Sequence, residues 1–128
     1  MKSFLFLTLL ITLTIASCDK DEPLEHLPGT WTLSDVEVDG EDGSGLGTLT
    51  FQEDLTGEMA ITFMGGGIQV TRGGSFTYVA TNDNITFTGL SQDEFTWSRE
   101  RNRSDEQVFE FEQTVLAEDF TVRLTFTK

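Results

Sequence analysis

Arg99 continues the alternation begun by Phe95 and Trp97, so on an extended chain its guanidinium shares a face with two aromatic rings. That combination can bind. A guanidinium takes an anionic head group through paired N–H donors, and flat apolar rings take what is attached to it. A hairpin folded about Arg103 sets Trp97 opposite Phe109 and Phe95 opposite Phe111, with Arg101 facing Asp105. Trp97, Phe109 and Tyr78 then line an apolar space beside Arg99. The competing expectation is plainer: the rings fill a core, and Arg99 is a rim cation balanced by nearby carboxylates. Arg72 also keeps inward parity, but at the opposite end from Arg99, so the two do not form one site.

Catalytic chemistry has little to work with. His26 is the only histidine and precedes the patterned region, where it is expected in solvent. No Ser-His-Asp set, zinc-ligand spacing or phosphate loop is present, so neither an enzyme nor a cofactor or metal site is expected. Glycoside chemistry needs two carboxyl groups in one pocket, whereas most acids here fall in turns or on polar strand faces. Asp35-x-Glu37-x-Asp39-Gly40 imitates the opening of a calcium loop, but Leu46 stands where a bidentate acid is required. The looser trio Asp39, Glu41 and Asp42 reads as a solvated lid.

Cys18 is the one cysteine, so no disulfide within the chain can form. It follows a basic start at Lys2, an apolar run from Phe4 to Ile15 broken by threonines, and the small residues Ala16 and Ser17. The run is shorter than the about 20 apolar residues a membrane-spanning helix needs. Ile15-Ala16-Ser17-Cys18 resembles the lipobox of bacterial lipoproteins. The resemblance implies removal of residues 1–17, diacylation of the Cys18 thiol with palmitate-type chains, and acylation of the new amino terminus. Each buried CH₂ of such chains contributes about 0.8 kcal/mol, which makes the anchor effectively permanent. Asp19-Lys20-Asp21-Glu22 resembles the Lys-plus-acidic signal that sends some Gram-negative lipoproteins to the outer face of the outer membrane. It implies cell-surface display; a plain acidic tether facing the periplasm is the alternative.

Charge narrows the partners. Twenty-two acidic side chains stand against eight basic ones, a formal charge of −14 at pH 7. Such a field repels nucleic acid, so no nucleic-acid partner is expected. Of the 128 residues, 111 follow the leader. That length suits one domain with a core or a small cavity. The expected organisation is a signal peptide over 1–17, the acylated cysteine and acidic tether over 18–28, and one domain over 29–128.

The elements that must hold these side chains are strands. From Thr30 the pattern has period two: Trp31 and Leu33, then Val36 and Val38 on a shifted register that implies a bulge near Asp35. Further alternating runs are Leu49-Phe51, Met59-Ile61-Phe63, Ile68-Val70, Phe76-Tyr78-Ala80, Ile85-Phe87, Phe95-Trp97, Phe109-Phe111 and Phe120 to Phe126. Turn-forming residues separate them at 40–47, 65–67, 73–74, 82–84 and 102–104. No stretch of ten residues carries a helical period, and 114–119 accommodates one helical turn at most. Eight or nine short antiparallel strands must close into a barrel or stack as a sandwich.

Gly29-Thr30-Trp31 at the start of the first strand, in an acidic β-meander, resembles the opening of lipocalin-like domains, including short bacterial lipoproteins of that type. The resemblance implies an all-β, antiparallel up-and-down barrel of eight to nine strands, closed around Trp31 at one end and open at the other. A β-sandwich is the alternative. In lipocalins an arginine from a late strand lies across that tryptophan. Arg123 is the candidate here, although it is out of phase with Val122, Leu124 and Phe126 and so belongs to the polar face unless a bulge intervenes. Nine strands threaded in this way put the 39–45 lid and Arg99 together at the open end. Two functions are then expected: binding of a small apolar or amphipathic ligand by Arg99, Trp97, Tyr78 and Phe109, or docking of a filled barrel onto another envelope protein.

Overall fold

A computed structural model describes residues 23–90 and 94–128. Nine strands run in chain order: β1 Gly29–Val38, β2 Glu41–Asp42, β3 Ser44–Phe51, β4 Thr56–Gly65, β5 Ile68–Ala80, β6 Asn84–Thr88, β7 Phe95–Asn102, β8 Glu106–Val115 and β9 Glu118–Thr127. Every pairing is antiparallel, and β1 pairs with both β3 and β9. Eight strands therefore close on themselves as an up-and-down barrel, with the two-residue β2 added beside the end of β1. Closure gives each of the eight strands a partner on both sides, over part of its length where the short β6 and β7 meet β5 and β8.

The alternation in sequence becomes inside and outside. Trp31, Leu33, Leu49, Phe51, Met59, Ile61, Phe63, Ile85, Phe87, Val122, Leu124 and Phe126 all point into one continuous core. Threonines occupy much of the outer wall, where Thr30–Thr50, Thr62–Thr71 and Thr86–Thr96 pair through their hydroxyls across adjacent strands. The register of β1 shifts between Leu33 and Asp35, which keeps Val36 and Val38 inward despite the odd spacing from Leu33.

Two segments that read as turns are strand. Gly73-Gly74 lies inside β5, an unbroken strand of 13 residues that pairs with β4 from Ile68 to Thr77. Gly74 takes φ +135°, a conformation open to glycine, so the strand bends there without ending. The 39–45 segment is not a lid. Only Asp39 and Gly40 turn, while Glu41 and Asp42 pair with β1 and Ser44 and Gly45 with β4. Asp39 is itself a clamp: its N–H donates to the Thr121 carbonyl oxygen, and its carboxylate accepts from the Thr121 N–H, both at 2.8 Å.

Because β5 is one strand and not two, every later strand runs opposite to the direction expected from the sequence. The chain enters the barrel at one end, the tether end, which also carries the turns at 52–55, 81–83 and 103–105. The turns at 39–40, 66–67 and 116–117 lie at the far end. Residues 114–119 form a tight hairpin in which Leu116 and Ala117 both have positive φ.

Candidate functional site

β7 carries Arg99 toward the tether end, opposite the acidic 39–42 turn and not beside it as the sequence threading expects. Its inward parity holds: Trp97 is 1% exposed and Arg99 8%. The guanidinium ties two chain segments together. Its Nη1 donates to the Pro23 carbonyl oxygen at 2.6 Å and to the Thr81 carbonyl oxygen at 2.8 Å. The Arg99 backbone N–H adds a bond to the Asp83 carbonyl oxygen at 2.7 Å. Nε and Nη2 are buried without a partner, and among the described residues no carboxylate pairs with them. Burial accordingly holds the guanidinium pKa below its ordinary value.

Pro23 reaches Arg99 because the chain ahead of β1 folds over the barrel mouth. Leu27 is fully buried and Leu24 packs against the core. The Leu27 N–H closes a turn onto the Leu24 carbonyl oxygen at 3.1 Å, and the Leu27 carbonyl oxygen accepts from Trp31 Nε1 at 2.8 Å. The tether end is thus stoppered by residues 23–28.

Tyr78, Trp97 and Phe109 share the interior with Arg99. The Tyr78 hydroxyl donates to the Gln52 carbonyl oxygen at 2.7 Å, and its ring lies edge-on to Phe51 at 5.0 Å. Burial, with the Asp54 carboxylate next, raises the Tyr78 pKa. Phe87 links the group by an edge contact to Trp97 at 4.8 Å. The hairpin register differs from a fold about Arg103. A bulge between Arg99 and Arg101 sets Arg99 opposite Phe109. Trp97 instead stacks on Phe111, with centroids 4.7 Å apart and planes within 9°. It keeps a tilted contact with Phe109 at 5.6 Å. Phe95 pairs with Phe87 in place of Phe111. Arg101 bonds Glu106 at 2.6 Å, not Asp105. The turn falls at Ser104 and Asp105, closed by the Arg103 N–H on the Glu106 carbonyl oxygen, and the bulge then shifts the ladder by one residue.

At the first strand, Gly29 and Trp31 take the closing position, but Arg123 does not. Arg123 lies opposite Glu37 on one side and Glu110 on the other, on the outer wall. The cation over Trp31 is Lys128, with Nζ 4.7 Å from the ring centroid. The parity of Val122, Leu124 and Phe126 holds through β9, with no bulge to turn Arg123 inward. The signal for Lys128 was its position just past β9, where the strand leaves the ladder. Cys18 lies outside the described residues.

Arg72 occupies the far half of the interior. Its guanidinium covers the Phe95 ring at 4.7 Å, and Nη2 donates to Gln113 Oε1 at 2.6 Å. Burial lowers its pKa as well. Arg72 and Arg99 remain at opposite ends, each exchanged from the end that the threading gives it. The acidic 39–42 turn does not gather into a metal site: no group of three ligating side chains occurs among the described residues.

Three cavities open outward from the described surface. One of about 480 Å³ follows the wall between β4, β5 and β6, beside Glu58, Ser75 and Thr77. A second, about 320 Å³, lies next to it over Thr48, Thr50 and Ala60. The third, also about 480 Å³, is an apolar groove at the tether end formed by Pro23, Leu24, Leu55, Val79 and Ala80. Together the geometry defines a closed eight-stranded barrel with an aromatic interior and a stoppered tether end. Comparison of the chain with protein-family models, curated proteins and solved structures gave no match.

Proposed function

We propose that this chain is a non-catalytic, lipid-anchored envelope protein whose filled barrel docks on another envelope component. Acylated Cys18 holds it in the outer membrane, facing the cell surface, with the periplasmic face as the alternative. The observation that carries the filled-barrel reading is the stacked Trp97–Phe111 pair, continuous through Phe87 with Phe51 and Phe76. Rings in edge and stacked contact take the space that a carried ligand would need. The lipobox-like Ile15-Ala16-Ser17-Cys18 and the Gly29-Thr30-Trp31 opening support the anchor and the lipocalin-like resemblance.

A second reading has one observation in its favour. Arg99 keeps two buried N–H donors without partners, and an anionic head group would satisfy them. Its site is Arg99, Trp97, Tyr78 and Phe109, and its ligand a small amphipathic anion that displaces Pro23. A melting-temperature panel of fatty acids, alkyl phosphates and alkyl sulfates separates the two. The filled barrel gives no gain with any of them. A gain that disappears in Arg99→Ala would replace it with the ligand-binding reading.

A further inference from the structure

From the placement of its apolar groove, we infer that the tether end of the barrel is a membrane seat: Leu24, Leu55 and Val79 press into the interfacial zone of the bilayer that holds the anchor. The inference rests on the lipid-anchor reading of Cys18.

Three observations converge on it. The groove is apolar and its walls are open, with Val79 65% and Leu55 41% exposed. Leu55 presents its side chain from a left-handed backbone, φ +69°, where glycine or asparagine sits with less strain. Position is the second observation. Pro23, which lines the groove, is only five residues beyond Cys18. Even a fully extended chain spans about 3.3–3.6 Å per residue, so the groove cannot stand more than about 18 Å from the acylated cysteine. Charge is the third. Asp39, Glu41, Asp42, Glu94, Glu118 and Asp119 gather at the far end, in whose half Arg72 covers the Phe95 ring next to Glu94. Arg99, Arg101, Arg103 and Lys128 all belong to the tether end. The near end sets Glu25, Glu53, Asp54, Asp83, Asp105 and Glu106 beside these four cations, so it is less acidic than the far end and anionic lipid repels it less. The barrel then stands upright, its far end turned away from the lipid and free for a partner.

The test uses the full-length acylated chain in phosphatidylcholine vesicles with brominated acyl chains. Cys18 is the only native cysteine, so once acylated it leaves an introduced thiol as the sole labelling site. A bimane label at Val79→Cys is expected to be quenched severalfold by the brominated lipid. The same label at Leu116→Cys, on a far-end residue 96% exposed, is expected to answer only to aqueous iodide. Adding Leu55→Asp to the Val79 variant is expected to reduce the lipid quenching. If the chain floats with the vesicles while both labels answer only to iodide, the seat is wrong and the anchor stands. If the Val79 label is shielded from both quenchers as protein concentration rises, a second copy covers the groove, and the seat is again wrong. A chain that fails to float, with Cys18 unmodified by mass, removes the anchor reading and the seat with it.

Discussion

Lys128 Nζ lies 4.7 Å from the centroid of the Trp31 ring and donates to the Pro28 carbonyl oxygen at 3.1 Å. The last residue of the chain thereby fastens the first strand of the barrel. Gly29 makes room for it, since a Cβ there would come within 2.9 Å of the lysine Cε, and φ +131° disfavours any side chain. Lys128→Ala is expected to cost about 0.5–1 kcal/mol, the range for a solvent-reached cation on an aromatic face. Arg123→Ala should cost no more than about 0.5 kcal/mol, as an outer-wall side chain. Urea unfolding of both variants checks the order, and a larger loss at Arg123 would contradict it.

Arg99 is expected to act as a latch on the stopper. Arg99→Met removes two charge-assisted bonds to carbonyl oxygens and relieves the burial of a charge, effects of opposite sign. We expect a net loss of about 1–2 kcal/mol, because Pro23 and Thr81 are left without the donor they shared. Hydrogen exchange should quicken most at the Leu27 amide, which depends on the folded-over stopper. Unchanged exchange there would show that Leu24 and Leu27 hold the stopper without the arginine.

Tyr78 is the only tyrosine, so phenolate absorbance in a base titration reads this residue alone. Its pKa is raised, so the folded state holds the proton more tightly than the unfolded chain. That contribution to stability is complete below the ordinary phenol value near 10 and is lost as the pH rises through the folded value. A titration midpoint at or below 10 in the folded protein would contradict it. Tyr78→Phe removes this alkaline loss but costs about 0.5–1.5 kcal/mol at neutral pH, through the bond to Gln52.

Two glycines of neighbouring strands should respond in opposite ways to alanine. A Cβ on Gly57 would come 2.6 Å from the Phe76 ring inside the barrel. Gly57→Ala is therefore expected to cost about 1–3 kcal/mol by overpacking. At Gly73 the nearest atom would be 3.6 Å away, an ordinary contact. Gly73→Ala is expected to be neutral or to add up to about 1 kcal/mol by stiffening the unfolded chain. Equal losses at the two sites would show that β5 at Gly73 has no more room for a side chain than β4 has at Gly57.

Much of the barrel was legible in the sequence because one wet face and one dry face impose a period of two. The run from Trp31 to Val38 even gave away its bulge, since two valines out of step with Leu33 need an extra residue between them. Gly73-Gly74 was misleading for a physical reason. Glycine serves turns, but it also serves bends within long strands, and composition does not separate the two uses. That one ambiguity carried Arg99 to the wrong end. The acidic segment after Val38 misled similarly: Gly43, Gly45 and Gly47 resemble a loop, yet their missing side chains let β3 lie close to β4 and β1. The stopper was invisible because Leu24 and Leu27 are too few to show a period.

Native mass spectrometry on the full-length protein, taken gently from its own envelope, tests the filled barrel most directly. The native mass is expected to equal the denatured mass, with any increment over residues 18–128 covalent and assigned to acyl groups on Cys18. A discrete additional mass, lost on denaturation and absent from Arg99→Ala, would contradict the account and show that the barrel carries a ligand.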